Sequence, residues 1–513
     1  MPPVSNYNFK IINDPIYGCI GLSETEVKLL DTKAMQRLRR INQMGFASYV
    51  FPGGEHSRFI HSIGVLAIMG KMCEHLYGLY GTKSKNKDGF SFNYKDITKL
   101  RIAALLHDVG HFPFSHLSEC VYSFIEQQEI NKIVSSRINN NNNILSELAN
   151  FKKKKQIDHE HLGAEVIRRD DEINGILREI KINPEEIGRI IIGDTQTNPI
   201  YAQLLHSSLD ADRLDYLLRD SRQAGVAFGT IELNYIIEQM RVYNCNISDN
   251  GSDNVKIPLI VFRDKAKHAL EHFLMARYFH YTQVVQHKTA IAFESIAKLL
   301  EYEMIHNAKK TTICGLKTYH DIVNCINTDI FYNFTDDFMW ERIKEYAEYN
   351  NNDYIQKQWK CLARRIKPVI VIQTADILPK ISSYERERSC NDSKYLLTKW
   401  IIKNEIDQIA RQTKINKKYI GYVENYVGLE SISSHIKADD CLKDGNFDDA
   451  TRGAIRIIDN NENVSFLASD KKSLINKMVD FTSNNFIIFV IGIDDNNKIR
   501  KFKEVISAKV ESD

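Results

Sequence analysis

Three histidines and an aspartate fall within the ten residues HDVGHFPFSH, directly after the apolar run IAALL. His107 and His111 are four residues apart, so on a continuing helix they would share one face. The order H-D-x-x-H invites comparison with the HExxH motif of zinc proteases, whose two histidines bind metal. Against that comparison, the middle acid is the shorter aspartate, and Gly110 and Pro113 should end the helix almost at once. The alternative is that His107 and Asp108, adjacent at a helix end, both point at one metal.

A single metal needs more ligands than this pair, and two other segments supply candidates. His61 lies in HSRFIHSIG and Asp212 lies in SLDADRLDYLLRD, both within apolar helical patterns where an unpaired polar side chain is costly to bury. Each of these residues alone is better explained as a satisfied core or surface polar group. Together with His107 and Asp108, they offer imidazole and carboxylate ligands that suit a divalent transition metal, Mg²⁺ or Mn²⁺, with open positions for water and phosphate oxygens.

Helical periodicity dominates the segments that must position these side chains. Apolar residues recur at helical spacing in VKLLDTKAMQRLRRINQMGF, HSIGVLAIMGKMCEHLYGLY and AKHALEHFLMARYFHYTQVV. Strand patterns are few, and they occur in VKIPLIVF (255–262), GAIRIID (453–459) and NFIIFVIGI (485–493). The sequence therefore predicts a mainly α fold, with the last two strands in a smaller α+β lobe.

Composition narrows the class of protein. The chain has 513 residues, enough for two or three domains, and its net charge of +2 gives no global argument for binding nucleic acid or a membrane surface. Its nine cysteines are odd in number and contain no CxxC pair, which argues against a disulfide framework and a zinc ribbon and favours a reducing, intracellular compartment. No apolar run is long enough to cross a bilayer, so no membrane partner is expected.

Three polar stretches interrupt the helical pattern, at 82–89, 138–155 and 382–394, and we expect surface loops there. The second stretch includes Lys152–Lys155. Four lysines could bind phosphates or form a targeting signal, but a solvated loop is the simpler interpretation.

Long motifs in chain order resemble a known family. His61, His107-Asp108 and Asp212 reproduce the H…HD…D order of the HD-domain phosphohydrolases. NDPIYGCIGL, DTKAMQRLRRINQMG, YVFPGGEHSRFIHSIGV, ALLHDVGHFPFSH and DRLDYLLRD are similar to the dNTP triphosphohydrolase branch, which includes the catalytic core of the animal sterile-alpha-motif and HD-domain enzyme and its bacterial relatives. The resemblance implies an HD-domain helical core over residues 1–325 and a C-terminal helical and α+β lobe over residues 326–513.

The resemblance also implies a reaction. In the family, a divalent metal promotes hydrolysis at the α-phosphorus and releases a deoxynucleoside and inorganic triphosphate. The implied metal ligands are His61, His107, Asp108 and Asp212. Manganese, magnesium, iron and zinc are all compatible with this ligand set.

Four residues match catalytic positions of the family. His116 would be the general acid for the leaving oxygen, and Glu119, where the family usually has aspartate, would orient its ring or raise its pKa. His111 and His159 match active-site histidines that touch phosphate. His161, two residues further on, is a rival for the role of His159.

Residues at the family's substrate-contacting positions are Gln43, Arg58, Arg213, Tyr216, Asp220 and Arg277. An arginine fork suits phosphate oxygens, and an aromatic ring against the sugar would exclude a 2′-hydroxyl. Arg213 replaces a lysine found in some members. Val285 stands where animal members have a tyrosine, which predicts looser discrimination of base or sugar.

The animal enzyme is activated by nucleotides bound between subunits, and its effector positions are matched by Asn13, Asp31, Gln36, Arg39, Phe51, Arg263 and Lys265. The match implies GTP or a dNTP as effector and a homodimer or homotetramer. The alternative is that DTKAMQRLRR is a helix with a solvated charged edge.

The sequence thus predicts an allosteric dNTP triphosphohydrolase in the cytoplasm, or in the nucleus of a eukaryote. One alternative is a phosphodiesterase of the same superfamily acting on a cyclic nucleotide or an oligonucleotide, since the metal ligands would be identical. A second alternative is a regulator that binds nucleotides or nucleic acid, with single-stranded nucleic acid as partner.

Overall fold

Helices account for most of the described chain and the strands form small sheets, which confirms the predicted mainly α fold with a smaller α+β region. No helix among the described residues is both long and apolar enough to cross a bilayer. The structure is a computed structural model that describes residues 9–81, 90–134, 144–151, 157–194, 197–247, 255–307, 313–373, 393–428, 454–478, 482–493 and 495–511.

The helices are numbered along the chain. Those of the first two thirds are α1 (Glu24–Leu30), α2 (Lys33–Arg37), α3 (Arg58–Tyr80), α4 (Tyr94–Leu106), α5 (His116–Val134), α6 (Ile144–Asn150), α7 (His159–Arg169), α8 (Asp171–Glu179), α9 (Pro184–Ile191), α10 (Pro199–Leu205), α11 (Ala211–Ala224), α12 (Leu233–Glu238), α13 (Lys267–Phe279) and α14 (Lys288–Asn307). The later helices are α15 (Tyr319–Asn324), α16 (Asp329–Tyr332), α17 (Asp336–Glu348), α18 (Asp353–Ala363), α19 (Ser393–Thr413), α20 (Leu474–Met478) and α21 (Asn496–Glu511).

The strands are β1 (Lys10–Asp14), β2 (Gly18–Leu22), β3 (Met240–Ile247), β4 (Val255–Arg263), β5 (Val369–Gln373), β6 (Ile420–Gly428), β7 (Arg456–Ile458), β8 (Val464–Phe466) and β9 (Thr482–Val490). They form an antiparallel β1-β2 hairpin, a sheet of order β3-β4-β7-β8 and a sheet of order β5-β9-β6. The pairs are antiparallel except for β4 and β7, which run parallel.

The three predicted strands are present, but they belong to two different sheets. β4 covers 255–262, whereas β7 and β9 overlap the predicted ranges 453–459 and 485–493. β7 pairs with the end of β4, while β9 lies between β5 and β6. The predicted breaks lie wholly or largely outside the described residues, as does Lys152–Lys155, and α6 forms within the second break.

Helix α3 lies at the centre of the hydrophobic core, because most of its side chains are buried. It packs against α4 and α11, and Leu66, Leu105 and Leu217 are completely buried there. Helix α11 begins where the side chain of Asp210 accepts a hydrogen bond from the Arg213 amide. The predicted metal ligands lie on α3 and α11 or directly after α4, so these buried helices support them.

Candidate metal centre and its adjoining cavity

The four predicted metal ligands converge from three helices. His61 lies on α3, His107 and Asp108 directly follow α4, and Asp212 lies in the first turn of α11. His61 Nε2 is 2.9 Å from Asp212 Oδ1 and 3.9 Å from Asp108 Oδ2. His107 Nε2 is 3.2 Å from Asp108 Oδ1 and 3.8 Å from Asp212 Oδ1. Atoms that share one cation at about 2.0–2.2 Å lie roughly 3–4 Å apart, so this spacing suits a single divalent ion.

Hydrogen bonds outside the cluster select the nitrogen that faces it. His61 Nδ1 donates to Asp215 Oδ2 at 2.7 Å, and His107 Nδ1 donates to the Ala104 carbonyl at 2.8 Å. When the rings are neutral, Nε2 is therefore the nitrogen whose lone pair faces the cluster. His107 Nε2 is buried and has no hydrogen-bond partner among the described residues. A cation would use this otherwise unpaired atom, so the donor set fits a divalent metal.

A buried carboxylate supports His61 from behind. Asp215 accepts hydrogen bonds from Tyr17 Oη at 2.6 Å and from Arg219 at 2.8 and 3.0 Å, and Arg219 also bonds to Asp14. Burial opposes ionisation, but His61 and Arg219 hold the pKa of Asp215 below its usual value. Sequence reasoning missed this residue, although its place three residues after Asp212 on one helix was a usable signal.

Asp108 connects the metal cluster to a neighbouring cavity. Its Oδ2 accepts a hydrogen bond from Arg58 Nη1 at 2.8 Å, and Arg58 Nε donates to Ser115 Oγ at 2.7 Å. Burial opposes ionisation, but His107 and Arg58 hold the pKa of Asp108 well below its usual range. The carboxylate is therefore ionised, as metal ligation requires.

A second cluster surrounds Glu119. His159 Nδ1 lies 2.8 Å from Glu119 Oε1, His116 Nδ1 lies 3.2 Å from Oε2, and His111 Nδ1 lies 3.6 Å from Oε1. The rings of His111 and His159 are stacked with their centroids 3.9 Å apart. The Glu119 side chain is fully buried, whereas that of His116 is 65% exposed. The four predicted catalytic residues thus lie together, with His116 reaching furthest into solvent.

The two stacked imidazoles of this cluster differ in charge. Burial lowers the pKa of His159, but the Glu119 carboxylate outweighs it and raises the value to about 9. Burial, together with Arg58 and His159, lowers the pKa of His111 well below its usual value. At neutral pH His159 is a cation and His111 is neutral, so only one of the stacked rings carries charge.

The adjoining cavity has a volume of about 280 Å³. Its polar lining includes five of the predicted residues: Gln43, Arg58, His116, Tyr216 and Asp220. Its apolar lining includes Phe46, Ala47, Val284, Val285 and Ala290. The cavity therefore combines a polar, charged part, which Arg58 connects to the metal cluster, with an apolar part.

Both oxygens of Asp220 are engaged at the polar wall of this cavity. His56 Nε2 donates to Oδ1 at 2.9 Å, and His280 Nε2 donates to Oδ2 at 3.1 Å. Burial opposes ionisation, but His280 and His56 lower the pKa of Asp220 from its usual value. Neither histidine was predicted, and no local sequence pattern distinguished them.

Two of the predicted substrate-contacting residues, and the rival histidine His161, lie outside the cavity lining. Arg213 Nε bonds to Asp210 at 3.1 Å, at the cap of α11. Arg277 is buried with its guanidinium 5.7 Å from the centroid of the Tyr281 ring, which itself lines the cavity. His161 Nδ1 lies 2.7 Å from its own helix cap, Asp158, so the structure places His159 rather than His161 in the Glu119 cluster.

The predicted effector residues lie at the surface. Gln36 and Arg39 bond to each other at 2.7 Å, and the Arg39 guanidinium lies 3.7 Å over the Phe59 ring. The remaining five are exposed or half-buried: Asn13, Asp31, Phe51, Arg263 and Lys265.

Residues 58–220 match the family model of the HD domain. This range spans all four convergent ligands and the whole of the Glu119 cluster. This part of the chain is therefore similar to the HD domain.

Relatives of this chain include the uncharacterized protein YwfO of Bacillus subtilis, which is 29% identical over 303 residues, 59% of this chain and 56% of the relative. The deoxynucleoside triphosphate triphosphohydrolase SAMHD1 of Homo sapiens is 42% identical over 108 residues, 21% of this chain and 16% of that protein. The chain spans a little over half of the length of YwfO and considerably less of SAMHD1.

A solved structure supports the fold. The phosphohydrolase BT4208 of Bacteroides thetaiotaomicron superimposes with a TM-score of 0.62 at 21% identity, covering 94% of this chain and 99% of that protein. At this identity the likeness establishes a shared fold.

Proposed function

We propose that this protein hydrolyses deoxynucleoside triphosphates to deoxynucleosides and inorganic triphosphate in a metal-dependent reaction. The observation that carries the proposal is the cavity, which brings Arg58 and His116 to the same space as Tyr216 and Asp220. A nucleotide needs both a cationic place for phosphate and a shaped place for its sugar and base. The locally high similarity to SAMHD1 supports the same choice of substrate.

Different residues of the chain have different roles in the proposed reaction. When bound to His61, His107, Asp108 and Asp212, a divalent cation supplies Lewis-acid polarisation and lowers the pKa of water. Arg58 holds a phosphate oxygen while it remains paired with Asp108. The Asp108 carboxylate in turn fixes the guanidinium against the metal cluster.

His116 is the proposed general acid. Its Nδ1 is held by Glu119, so Nε2 is the nitrogen available to give a proton to the sugar oxygen that leaves. Burial opposes ionisation of Glu119, but His116 and His159 hold its pKa well below the usual range. The ionised Glu119 carboxylate lies 3.2 Å from His116 Nδ1 and fixes the orientation of the ring.

Nucleotide activation and a homo-oligomeric state complete the proposal. Arg39 stacks on Phe59, and Phe59 directly follows Arg58, which contacts both Asp108 and the cavity. A GTP or dNTP phosphate that drew Arg39 away would act on the first turn of α3, where Arg58 lies. This short connection is the physical support for coupling the surface residues to the site.

Product analysis tests the reaction. The purified protein would be incubated with Mn²⁺ and each dNTP, with and without GTP, and phosphorus NMR would identify the products. We expect inorganic triphosphate and free deoxynucleoside, and no turnover after chelation of the metal. Release of pyrophosphate or of a nucleoside monophosphate would refute attack at the α-phosphorus with the sugar oxygen as leaving group.

A further inference from the structure

The segment between α4 and α5 carries His111 and ends at His116, and it is locally strained. Phe114 and Ser115 have φ angles of 52° and 58°, so two successive residues with a Cβ adopt the left-handed region. Side chains other than glycine rarely adopt this conformation, because Cβ approaches the carbonyl oxygen. Such strain persists only when surrounding contacts enforce it.

Arg37 forms hydrogen bonds with the first half of this segment. Its Nη2 donates to the carbonyls of Val109 at 2.9 Å and His111 at 2.8 Å, and its Nη1 donates to the Phe334 carbonyl at 2.8 Å. The residue is 3% exposed, and burying a guanidinium is costly. An apolar side chain would fill the same space at a lower cost, whereas the guanidinium fixes the Val109 and His111 carbonyls relative to the Phe334 carbonyl.

Asp336 forms a hydrogen bond with the second half of the segment. Its Oδ1 accepts the amide proton of Phe114 at 2.7 Å, and its Oδ2 accepts that of Asn42 at 2.9 Å. Ser115 Oγ donates to the Asn42 carbonyl at 2.9 Å and accepts from Arg58. The two strained residues are thus connected to Asn42, which precedes the cavity residue Gln43, through one buried carboxylate and one hydroxyl.

We propose that Arg37 and Asp336 are positioning residues that hold the strained 109–115 segment, and with it His111 and His116, in the geometry used for catalysis. Both lie outside the range that matches the HD domain, one on α2 and one at the first position of α17. Neither touches the metal cluster in its described hydrogen bonds. The inference rests on the proposed function only in assigning catalysis to His111 and His116.

Asp336→Asn tests the carboxylate, with Asp337→Asn as the matched control. Asp337 is the adjacent residue, is 65% exposed and pairs with the surface residue Arg40 at 2.7 Å. We expect Asp336→Asn to lower kcat about 10- to 100-fold, because small displacements of catalytic groups are costly. KM should change by less than about threefold, because Arg58 remains available to bind phosphate. The amount of bound metal should not change, because the four metal ligands remain. Asp337→Asn should retain the wild-type kcat.

Arg37→Lys tests the guanidinium in the same way, with Arg40→Lys as its exposed counterpart. Lysine keeps the charge but loses the planar guanidinium, whose Nη2 donates to the Val109 and His111 carbonyls while Nη1 donates to the Phe334 carbonyl. A residue that only stabilised the fold would lower the melting temperature while the folded fraction kept its kcat. That result for Arg37→Lys and Asp336→Asn would overturn the inference.

Hydrogen exchange provides a readout that does not depend on substrate. In the full-length, metal-loaded protein, Asp336→Asn should accelerate exchange in peptides covering 109–116, while Asp337→Asn should leave them protected. Equal protection in the two variants would overturn the inference. Absence of dNTP turnover by the wild-type protein would refute the proposed function, and the exchange comparison would then decide the positioning role by itself.

Discussion

Glu301 gives this protein a predictable dependence of stability on pH. Its side chain lies on α14 with no exposed surface, and Oε2 accepts a hydrogen bond from Ser118 at 3.0 Å. Oε1 has no hydrogen-bond partner within the described ranges. Burial raises the pKa of Glu301 from 4.5 to about 8, against the smaller opposing effects of Ser118 and Lys298. The carboxyl is therefore neutral in the folded protein at pH 7.

The sign of the effect follows from proton binding. Below pH 4.5 both the folded and the unfolded chain hold this proton, so Glu301 does not contribute to the pH dependence of the free energy of unfolding. Between pH 4.5 and 8 the unfolded chain ionises while the folded chain does not, and stability falls by up to about 1.4 kcal/mol per pH unit. Glu301→Gln removes the titration, so its stability relative to the wild type should rise by roughly 2–3 kcal/mol between pH 5 and pH 7.

Urea denaturation at pH 5, 6 and 7 measures this difference directly. Glu341→Gln, at a 71% exposed side chain, is the control and should give a difference that does not change with pH. A pH-independent difference for Glu301→Gln would show that the carboxyl is ionised or hydrated in the folded protein, which would contradict its assignment as a buried neutral acid.

Three further substitutions test the site. Asp215→Asn should weaken metal binding about 10- to 100-fold in a chelator competition, since the His61 ring loses its charged partner. His116→Gln should lower kcat by about 10²- to 10⁴-fold while metal content, measured by mass spectrometry, stays at the wild-type value. Gly110→Ala should lower both the melting temperature and kcat, because a Cβ there would lie 2.3 Å from the His159 carbonyl and 2.1 Å from the Gly163 amide. A melting curve and a steady-state assay that match the wild type would contradict that close approach.

The helices and the convergent metal ligands could be predicted from the sequence, and the reason is physical. Apolar residues at helical spacing specify the buried face of α3 and α4, and a buried histidine or aspartate on such a face stands out because it needs a partner. His61, His107, Asp108 and Asp212 were predicted on that basis and by resemblance, and the structure places their donor atoms 2.9–3.9 Å apart in the four measured pairs. Their role as ligands stays a prediction until metal is measured.

The contacts that support the site could not be predicted from the sequence. Arg37 and Phe334 are 297 residues apart in sequence, as are Arg40 and Asp337, and no periodic pattern relates such positions. Asp215 lies three residues after Asp212 on α11, but its contact with His61 depends on how α3 and α11 pack together. The division of the chain at residue 325 also stays a prediction.

Strand pairing was beyond sequence reasoning as well. β7 is three residues long and pairs in parallel with β4, almost two hundred residues earlier in the chain. A short strand of this kind carries too little alternation to specify a partner. The partner of β7 is therefore determined by the fold as a whole and not by the sequence of the strand.

Metal analysis is the most direct test of the central claim, that four separated side chains hold one divalent cation. The full-length protein would be loaded with Mn²⁺, dialysed and analysed by inductively coupled plasma mass spectrometry. We expect about one equivalent per chain in the wild type and in the control His161→Ala, and less than a tenth of that in His107→Ala and Asp212→Ala. A wild-type protein without bound metal, or equal metal in His107→Ala and His161→Ala, would contradict the account.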